Sequence, residues 1–262
     1  MVEQTQTRTS IHLRDVLRLI RVEDYSTFIQ LVIGFVLAGG QDWMYLMGAL
    51  AILAPCVYGG LYALNDVHDA SADRLHPIKC TRPVASGRID PGSASLLGTA
   101  LISFGVGTAL VHDFKVFVLA LLFVAINLAY TFRFKTVPYI EILLNTVTHP
   151  LRFAAGLWLA GSWEHLPLLA AWVLSVFAIT TLKRIKEMRE SGAAVRPVLR
   201  HYNQPTLKRL IVASLVTMLG IWPFTYHLDF LLTGIWLALT LVAVVGYFRS
   251  PFLRQLEEYL WR

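Results

Sequence analysis

The segment Asn65-Asp66-Val67-His68-Asp69-Ala70-Ser71-Ala72-Asp73 sets three carboxylates at positions i, i+3 and i+7. In a helix that spacing places Asp66, Asp69 and Asp73 on one face. Like charges so close repel one another, so the face calls for a cation. Oxygen-only donors favour Mg²⁺ or Ca²⁺ over Zn²⁺. Mg²⁺ in turn is usually shared between one or two carboxylates and the phosphates of a substrate. The expected chemistry is that of a Mg²⁺–diphosphate site, with Asp66, Asp69 and Asp73 as metal-holding, catalytic residues and Asn65 beside them. A plain acidic helix end is the alternative, but it would run against the basic character of the surrounding loops. The next stretch, Arg74 to Arg88, supplies Lys79 and Arg82 to hold outer phosphate oxygens, and its Pro and Gly residues turn the chain. A hard cation has no need of His68 or His76, which read as hydrogen-bonding residues.

A second cluster is cationic. Lys183-Arg184-Ile185-Lys186-Glu187-Met188-Arg189-Glu190 is followed by Arg196-Pro197-Val198-Leu199-Arg200-His201-Tyr202, and no aspartate lies between Asp113 and Asp229. Such a cap suits a free phosphate better than a second metal, with Lys183, Arg184 and Arg189 seating it. Between the two clusters, Glu141, Asn145, His149 and Arg152 recur along one apolar run, and Asn127 sits in another. Ionisable groups in an apolar span are functional or paired. Glu141 and Asn145 lie near the end that reaches the phosphate chemistry. Arg152, deeper, reads either as functional or as a helix-packing residue.

These groups must be positioned by apolar elements. Hydrophobic residues make up 56% of the 262-residue chain and charged residues 15%, with a mean hydropathy of +0.57. That excludes a disordered chain, a coiled coil and an ordinary soluble enzyme. Two cysteines, Cys56 and Cys80, exclude a disulfide scaffold. A helix crossing a bilayer needs about 20 apolar residues, and eight runs qualify or nearly so: 25–39, 43–64, 94–111, 114–132, 140–160, 167–182, 210–226 and 230–248. No secretory signal pattern precedes them. If the eight alternate, every Lys and Arg except Lys115 and Arg152 falls on one side or in the termini attached to it. The positive-inside rule then places both termini in the cytoplasm. The net charge of +6 thus reports orientation and attraction to phosphate or anionic lipid, and no nucleic-acid partner is expected.

The organisation expected is an all-α polytopic membrane bundle of about eight helices in two four-helix halves. Residues 1–24 form a cytoplasmic segment in which Leu13, Val16, Leu17 and Ile20 recur at helical spacing among arginines. It reads as a helix lying on the membrane surface or as a solvated tail. Residues 25–250 form one transmembrane catalytic domain with cap loops at 65–93 and 183–209, and 251–262 form a cytoplasmic tail.

Asn-Asp-x-x-Asp-x-x-x-Asp followed by Arg-Pro-x-x-Ser-Gly resembles the first aspartate motif of the UbiA superfamily of intramembrane prenyltransferases. Ala129-Tyr130 and Leu151-Arg152-Phe153-Ala154-Ala155-Gly156 are also similar. The resemblance implies a helical bundle around a lipid-facing cavity, a Mg²⁺ cofactor, and Tyr130 as a substrate-binding residue. Quinone and aromatic prenyltransferases of the superfamily carry a second Asp-x-x-x-Asp motif, absent here. The Lys183–Arg184 pair followed by Glu187 resembles instead the polyprenyl-phosphate phosphoribosyltransferase branch, which includes the decaprenyl-phosphate phosphoribosyltransferases of cell-wall synthesis. That branch implies transfer of a phosphoribosyl group from phosphoribosyl pyrophosphate to a polyprenyl phosphate at the inner membrane. Cys80 stands where a basic residue is more usual. Two rivals stay open. One is prenyl transfer from a prenyl diphosphate to an aromatic, quinone or other acceptor. The other is an eight-helix transporter, for which Pro150 and Pro223 offer broken-helix features. No oligomeric state follows from the sequence.

Overall fold

A computed structural model of the chain describes residues 12–76, 78–190, 197–225 and 227–249. The expected tail at 251–262, the start of the N-terminal segment and Arg196 lie outside them. Every regular element among the described residues is helical. Six stretches are long and apolar enough to cross a membrane: Trp43–Asp73, Pro91–His112, Phe114–Phe132, Leu166–Arg189, Gln204–Phe224 and His227–Phe248. The other two expected spans differ for physical reasons. The first divides into a 3₁₀ turn, Val22–Phe28, and the nine-residue α2, Ile29–Leu37. The fifth, α7 (Ile140–Ala160), has the length but is diluted by Glu141, Asn145, His149 and Arg152.

Close packing divides the chain into two compact units. The first takes the described residues up to Phe28 together with Trp43–Phe132. It begins with α1 (Leu13–Leu19), whose arginines and leucines Arg14, Arg18, Leu13 and Leu17 are exposed. Leu19 anchors it, fully buried with Ala63, Ala70, Val84, Ile89 and Ala94. Next come α3 (Trp43–Ala51), a π-helical segment (Ile52–Tyr58) and α4 (Gly59–Asp73) in one continuous rod. Pro55 lies inside the π segment. It has no amide proton to give the ladder, and the wider turn absorbs the interruption. Helix α4 packs on α5 (Pro91–His112) where Gly60 and Gly98 meet. A Cβ on Gly60 would come 2.6 Å from the Gly98 carbonyl oxygen, so small residues permit the approach. Helix α6 (Phe114–Phe132) completes the unit through Phe123, which packs edge-on to Tyr58 at 5.2 Å.

The second unit takes Ile29–Asp42 and the residues from Arg133 onward. Helix α2 therefore leaves the chain-order half to which the sequence assigns it, and packs along α7. Gly34 and Gly156 allow this, because a Cβ on either would strike the other helix's backbone. Helices α8 (Leu166–Glu190), α9 (Gln204–Ile221) and α10 (His227–Arg249) complete the unit. Its largest core gathers Ile142, Leu182, Ile185, Leu199, Tyr202, Leu207 and Tyr247, among others. Many apolar side chains on α5, α9 and α10 stay exposed, among them Phe104, Val111, Val216 and Val242. That distribution suits contact with lipid.

Both expected cap loops are shorter than the sequence suggests. Helix α4 runs on through Asp73, so the first loop spans 74–90. Helix α8 runs to Glu190 and α9 starts at Gln204.

The glycine contact is testable. Gly156→Ala is expected to destabilise the protein by about 1–3 kcal/mol through overpacking. Gly220→Ala, where an added Cβ meets nothing within 4 Å, should be neutral or stabilise by up to about 1 kcal/mol. Thermal unfolding of both variants in detergent checks the pair; equal effects would remove the close crossing as a constraint.

Candidate functional site

In the first unit the acidic motif occupies the last turns of α4. Asp66 and Asp73 are buried, Asp69 is partly exposed and His68 is exposed. A carboxylate in such surroundings needs counter-charge, and two arginines provide it. Arg21 Nη2 donates to Asp66 Oδ1 at 2.7 Å. Arg82 Nη1 donates to Asp73 Oδ2 at 2.7 Å and lies 3.4 Å from Asp66 Oδ1. Arg82 thus bridges two members of the motif across one helical face. Asn65 Nδ2 donates to Asp69 Oδ2 at 3.3 Å, while Thr131 at the end of α6 donates to Asn65 Oδ1 at 3.3 Å.

Arg21 was not legible as a site residue. It stands in the left-handed region at φ 52°, where the chain turns from α1 into the 3₁₀ turn. Its guanidinium also lies 4.7 Å from the centre of the Tyr62 ring. Burial opposes the Arg21 charge, but the Asp66 carboxylate outweighs it and raises the pKa above its ordinary value. A second ion pair, Arg88 Nε to Asp15 Oδ1 at 2.7 Å, ties the loop to α1. Arg88 Nη2 also donates to the Thr81 carbonyl at 2.6 Å. His76 Nδ1 accepts from the amides of Ile78 and Lys79, the loop-building role expected of it. Burial, then the Lys79 charge, lowers its pKa and keeps it neutral near pH 7. Asp90 ends the loop as the N-cap of α5, accepting from the Ser93 amide at 2.9 Å.

The fit of a hard cation follows from these donors. Asp66 Oδ2 is buried and makes no hydrogen bond, and every donor on the face is oxygen. Among the described residues, however, no three His, Cys, Asp or Glu side chains are gathered as a metal cage. Asp66 and Asp73 converge on an arginine and not on one point with Asp69. A cation that takes carboxylate oxygens from this face and completes its shell with phosphate and water fits it.

In the second unit the expected phosphate grip looks different. Arg184 is buried, with its side chain 1% exposed against 0% for Glu141. Its Nε and Nη2 donate to the two Glu141 oxygens at 2.6 and 2.9 Å. Its Nη1 donates to both Glu187 oxygens at 2.9 Å. Tyr202, which the sequence did not single out, donates to Glu141 Oε1 at 2.7 Å and accepts from the Tyr139 amide at 3.3 Å. Burial and the bond to Glu141 raise the Tyr202 pKa. Arg184 thus joins α7, α8 and the second cap in one network, and its donors are directed at carboxylates.

Lys183, the preceding residue, is exposed, and Asn145 is half-buried on α7. Arg189 faces α10, with its guanidinium 5.8 Å from the Tyr247 ring centre and 5.7 Å from that of Phe248. Lys79 is exposed in the first unit, and Tyr130 is half-buried in the last turn of α6.

The model of the UbiA prenyltransferase family matches residues 27–259. Decaprenyl-phosphate phosphoribosyltransferase of Corynebacterium glutamicum is 29% identical over 232 residues, covering 81% of this chain and 68% of its own. Digeranylgeranylglyceryl phosphate synthase of Saccharolobus solfataricus is 28% identical over 215 residues, covering 80% and 70%. Among solved structures, a UbiA homologue of Archaeoglobus fulgidus bound to GPP and Mg²⁺ superposes with a TM-score of 0.71 at 19% identity. That match covers 87% of this chain and 85% of that one, and it shows the fold.

The buried network sets a stability test. Removing one partner of a buried ion pair costs about 3–5 kcal/mol, whereas an apolar pair of similar volume restores most of it. Glu141→Gln should therefore lower the unfolding free energy by about that much, and Glu141→Leu with Arg184→Met by clearly less. Unfolding midpoints of the single and double variants decide; a double variant worse than the single would show that the pair is not buried as a unit.

Proposed function

The chain belongs to the UbiA prenyltransferase family, a family of membrane transferases, and we propose that it transfers a phosphoribosyl group from phosphoribosyl pyrophosphate to a polyprenyl phosphate. One observation carries the choice within the family. The second cap contains no aspartate, and its buried arginine is fixed on Glu141 and Glu187. A cap so built suits an acceptor that brings its own anion more than a second metal–diphosphate. The similarity to decaprenyl-phosphate phosphoribosyltransferase supports the same reading. The similarity to digeranylgeranylglyceryl phosphate synthase favours the alternative, prenyl transfer from a prenyl diphosphate.

Asp66, Asp69 and Asp73 would hold a Mg²⁺, which when bound would neutralise the diphosphate of the donor and stabilise it as it leaves. Arg82, Arg21 and Lys79 bind the outer phosphate oxygens, Arg82 exchanging its carboxylate partners for phosphate. As the bond from ribose C1 to the diphosphate breaks, positive charge develops on the sugar. A phosphate oxygen of the lipid forms the new bond to C1, and pyrophosphate departs with the electron pair. That oxygen is already anionic near pH 7, so no side chain need remove a proton. Lys183 holds the acceptor phosphate, with Asn145 and Glu187 in supporting contacts, and Arg184 keeps Glu187 in place; Tyr130, in the first unit, is assigned to substrate binding. Catalysis rests mainly on positioning and charge stabilisation. The distribution of Lys and Arg supports an inner-membrane protein with both termini cytoplasmic.

Purified protein incubated with Mg²⁺, phosphoribosyl pyrophosphate and a polyprenyl phosphate is expected to yield a phosphoribosylated lipid by mass spectrometry. A prenyl diphosphate with a quinone precursor should yield none. Asp66→Asn and Asp69→Asn should each keep less than about a tenth of wild-type turnover at saturating Mg²⁺. Asp69 is the cleaner test, because Asp66 also anchors Arg21. Full turnover in a folded Asp69→Asn protein would sink the metal assignment.

A further inference from the structure

The two buried carboxylates of the acidic face share their oxygens with cations that the chain itself supplies. Asp66 is 2% exposed and Asp73 4%. Asp66 Oδ1 accepts from Arg21 Nη2 at 2.7 Å and faces Arg82 Nη1 at 3.4 Å. Asp73 Oδ2 accepts from the same Arg82 nitrogen at 2.7 Å. Both arginines are held by the chain around them. The Arg21 guanidinium lies against the Tyr62 ring and 4.0 Å from Asp24, and its backbone keeps a left-handed φ of 52°, a costly conformation for a residue with a side chain. The Arg82 carbonyl accepts from the Ser86 amide at 2.9 Å and the Ser86 hydroxyl at 2.7 Å, which fixes the turn that presents the side chain. All of these residues lie in the first unit. Two buried carboxylates are thus balanced by two guanidinium groups, and Asp66 Oδ2, also buried, makes no hydrogen bond.

That balance decides what the face can accept. A divalent cation arriving alone adds positive charge beside two fixed guanidinium groups, where water screens poorly. A diphosphate arriving with it brings the opposite charge and acceptor oxygens for both arginines. Resting on the metal–diphosphate reading above, we infer that Arg21 and Arg82 make binding of the cation and of the diphosphate depend on each other. The face disfavours a free divalent cation and admits the metal with its diphosphate. Such coupling is reciprocal, so the cation raises the affinity for diphosphate by the factor that the diphosphate raises it for the cation. Asp66 Oδ2 is the oxygen a cation can take with Arg21 still on Oδ1. Asp66 Oδ1 and Asp73 Oδ2 become available as the guanidinium groups turn to phosphate. Arg21 is a positioning residue in this scheme as well as a phosphate ligand, because it acts on the metal through Asp66.

The test is equilibrium dialysis of Mn²⁺, a hard divalent cation that takes the same oxygen donors, against the full-length protein in zwitterionic nanodiscs. It is run at equal free Mn²⁺ with and without methylenediphosphonate, and empty nanodiscs give the blank. Wild type should bind Mn²⁺ at least about tenfold more tightly when the diphosphonate is present. Arg21→Gln should bind Mn²⁺ alone several-fold more tightly than wild type and the diphosphonate several-fold more weakly, while Arg21→Lys stays near wild type. An arginine that only supports the fold, or only grips phosphate, would not move the two ligands in opposite directions. If Arg21→Gln does not fold, Arg82→Gln carries the same comparison, and the wild-type measurement stands without either. A wild type that binds Mn²⁺ equally with and without diphosphonate overturns the coupling and leaves the metal assignment in place. A wild type that binds no Mn²⁺ in either condition overturns both. Folded Arg21→Gln and Arg82→Gln proteins that bind Mn²⁺ alone no better than wild type overturn the role of the arginines.

Discussion

One constraint governs the buried carboxylates Asp66, Asp73 and Glu141: a carboxylate removed from water must meet a cation. Desolvation of an ion costs several kcal/mol even after relaxation, and an apolar helical protein has few places to avoid that. Asp66, Asp73 and Glu141 are buried, and each has a guanidinium oxygen–nitrogen contact of 2.6–2.7 Å. The two units satisfy the constraint differently, and the difference separates chemistry from architecture.

In the first unit the counter-charges can be exchanged. The side chains of Arg21 and Arg82 are 19% and 24% exposed, and Arg82 divides itself between two aspartates. One oxygen of Asp66 is left without a hydrogen bond. A divalent ion arriving with a diphosphate can take over neutralisation of the carboxylates, and the arginines it releases have phosphate oxygens to bind. In the second unit Arg184 is 1% exposed and holds two carboxylates with its three nitrogens. Displacing it would leave Glu141 charged and buried, so its role is to fix the register of α7 and α8 and to orient Glu187.

Sequence order reveals the groups of the first unit better than their partners. The three aspartates are legible because they are local, and helical spacing alone puts them on a face. The same holds for the apolar runs. Arg21 is not legible, because 45 residues separate it from Asp66 and a left-handed backbone aims it there. The sequence alone presents Arg184 as a phosphate ligand, because a basic pair on a polar cap suggests one. In the structure it bonds Glu141, which Tyr202 also bonds, and only tertiary packing joins these residues from separate elements. Helix α2 illustrates the same limit: hydropathy identifies an apolar run, but the glycines at 34 and 156 decide which helix it joins.

The polarity of α7 now has a physical account. A helix with Glu141, Asn145, His149 and Arg152 on it would insert poorly alone. It is tolerated because α2 covers one side through the glycine contact, while Arg184 and Tyr202 neutralise its acidic end. Deeper along the helix, Arg152 Nη1 donates to the Thr148 carbonyl of its own backbone at 3.1 Å. A chain selected only for packing would place leucines at 145, 149 and 152, since apolar replacements of buried charges are often neutral or stabilising. Packing alone therefore does not account for the amide, the imidazole and the guanidinium on this helix.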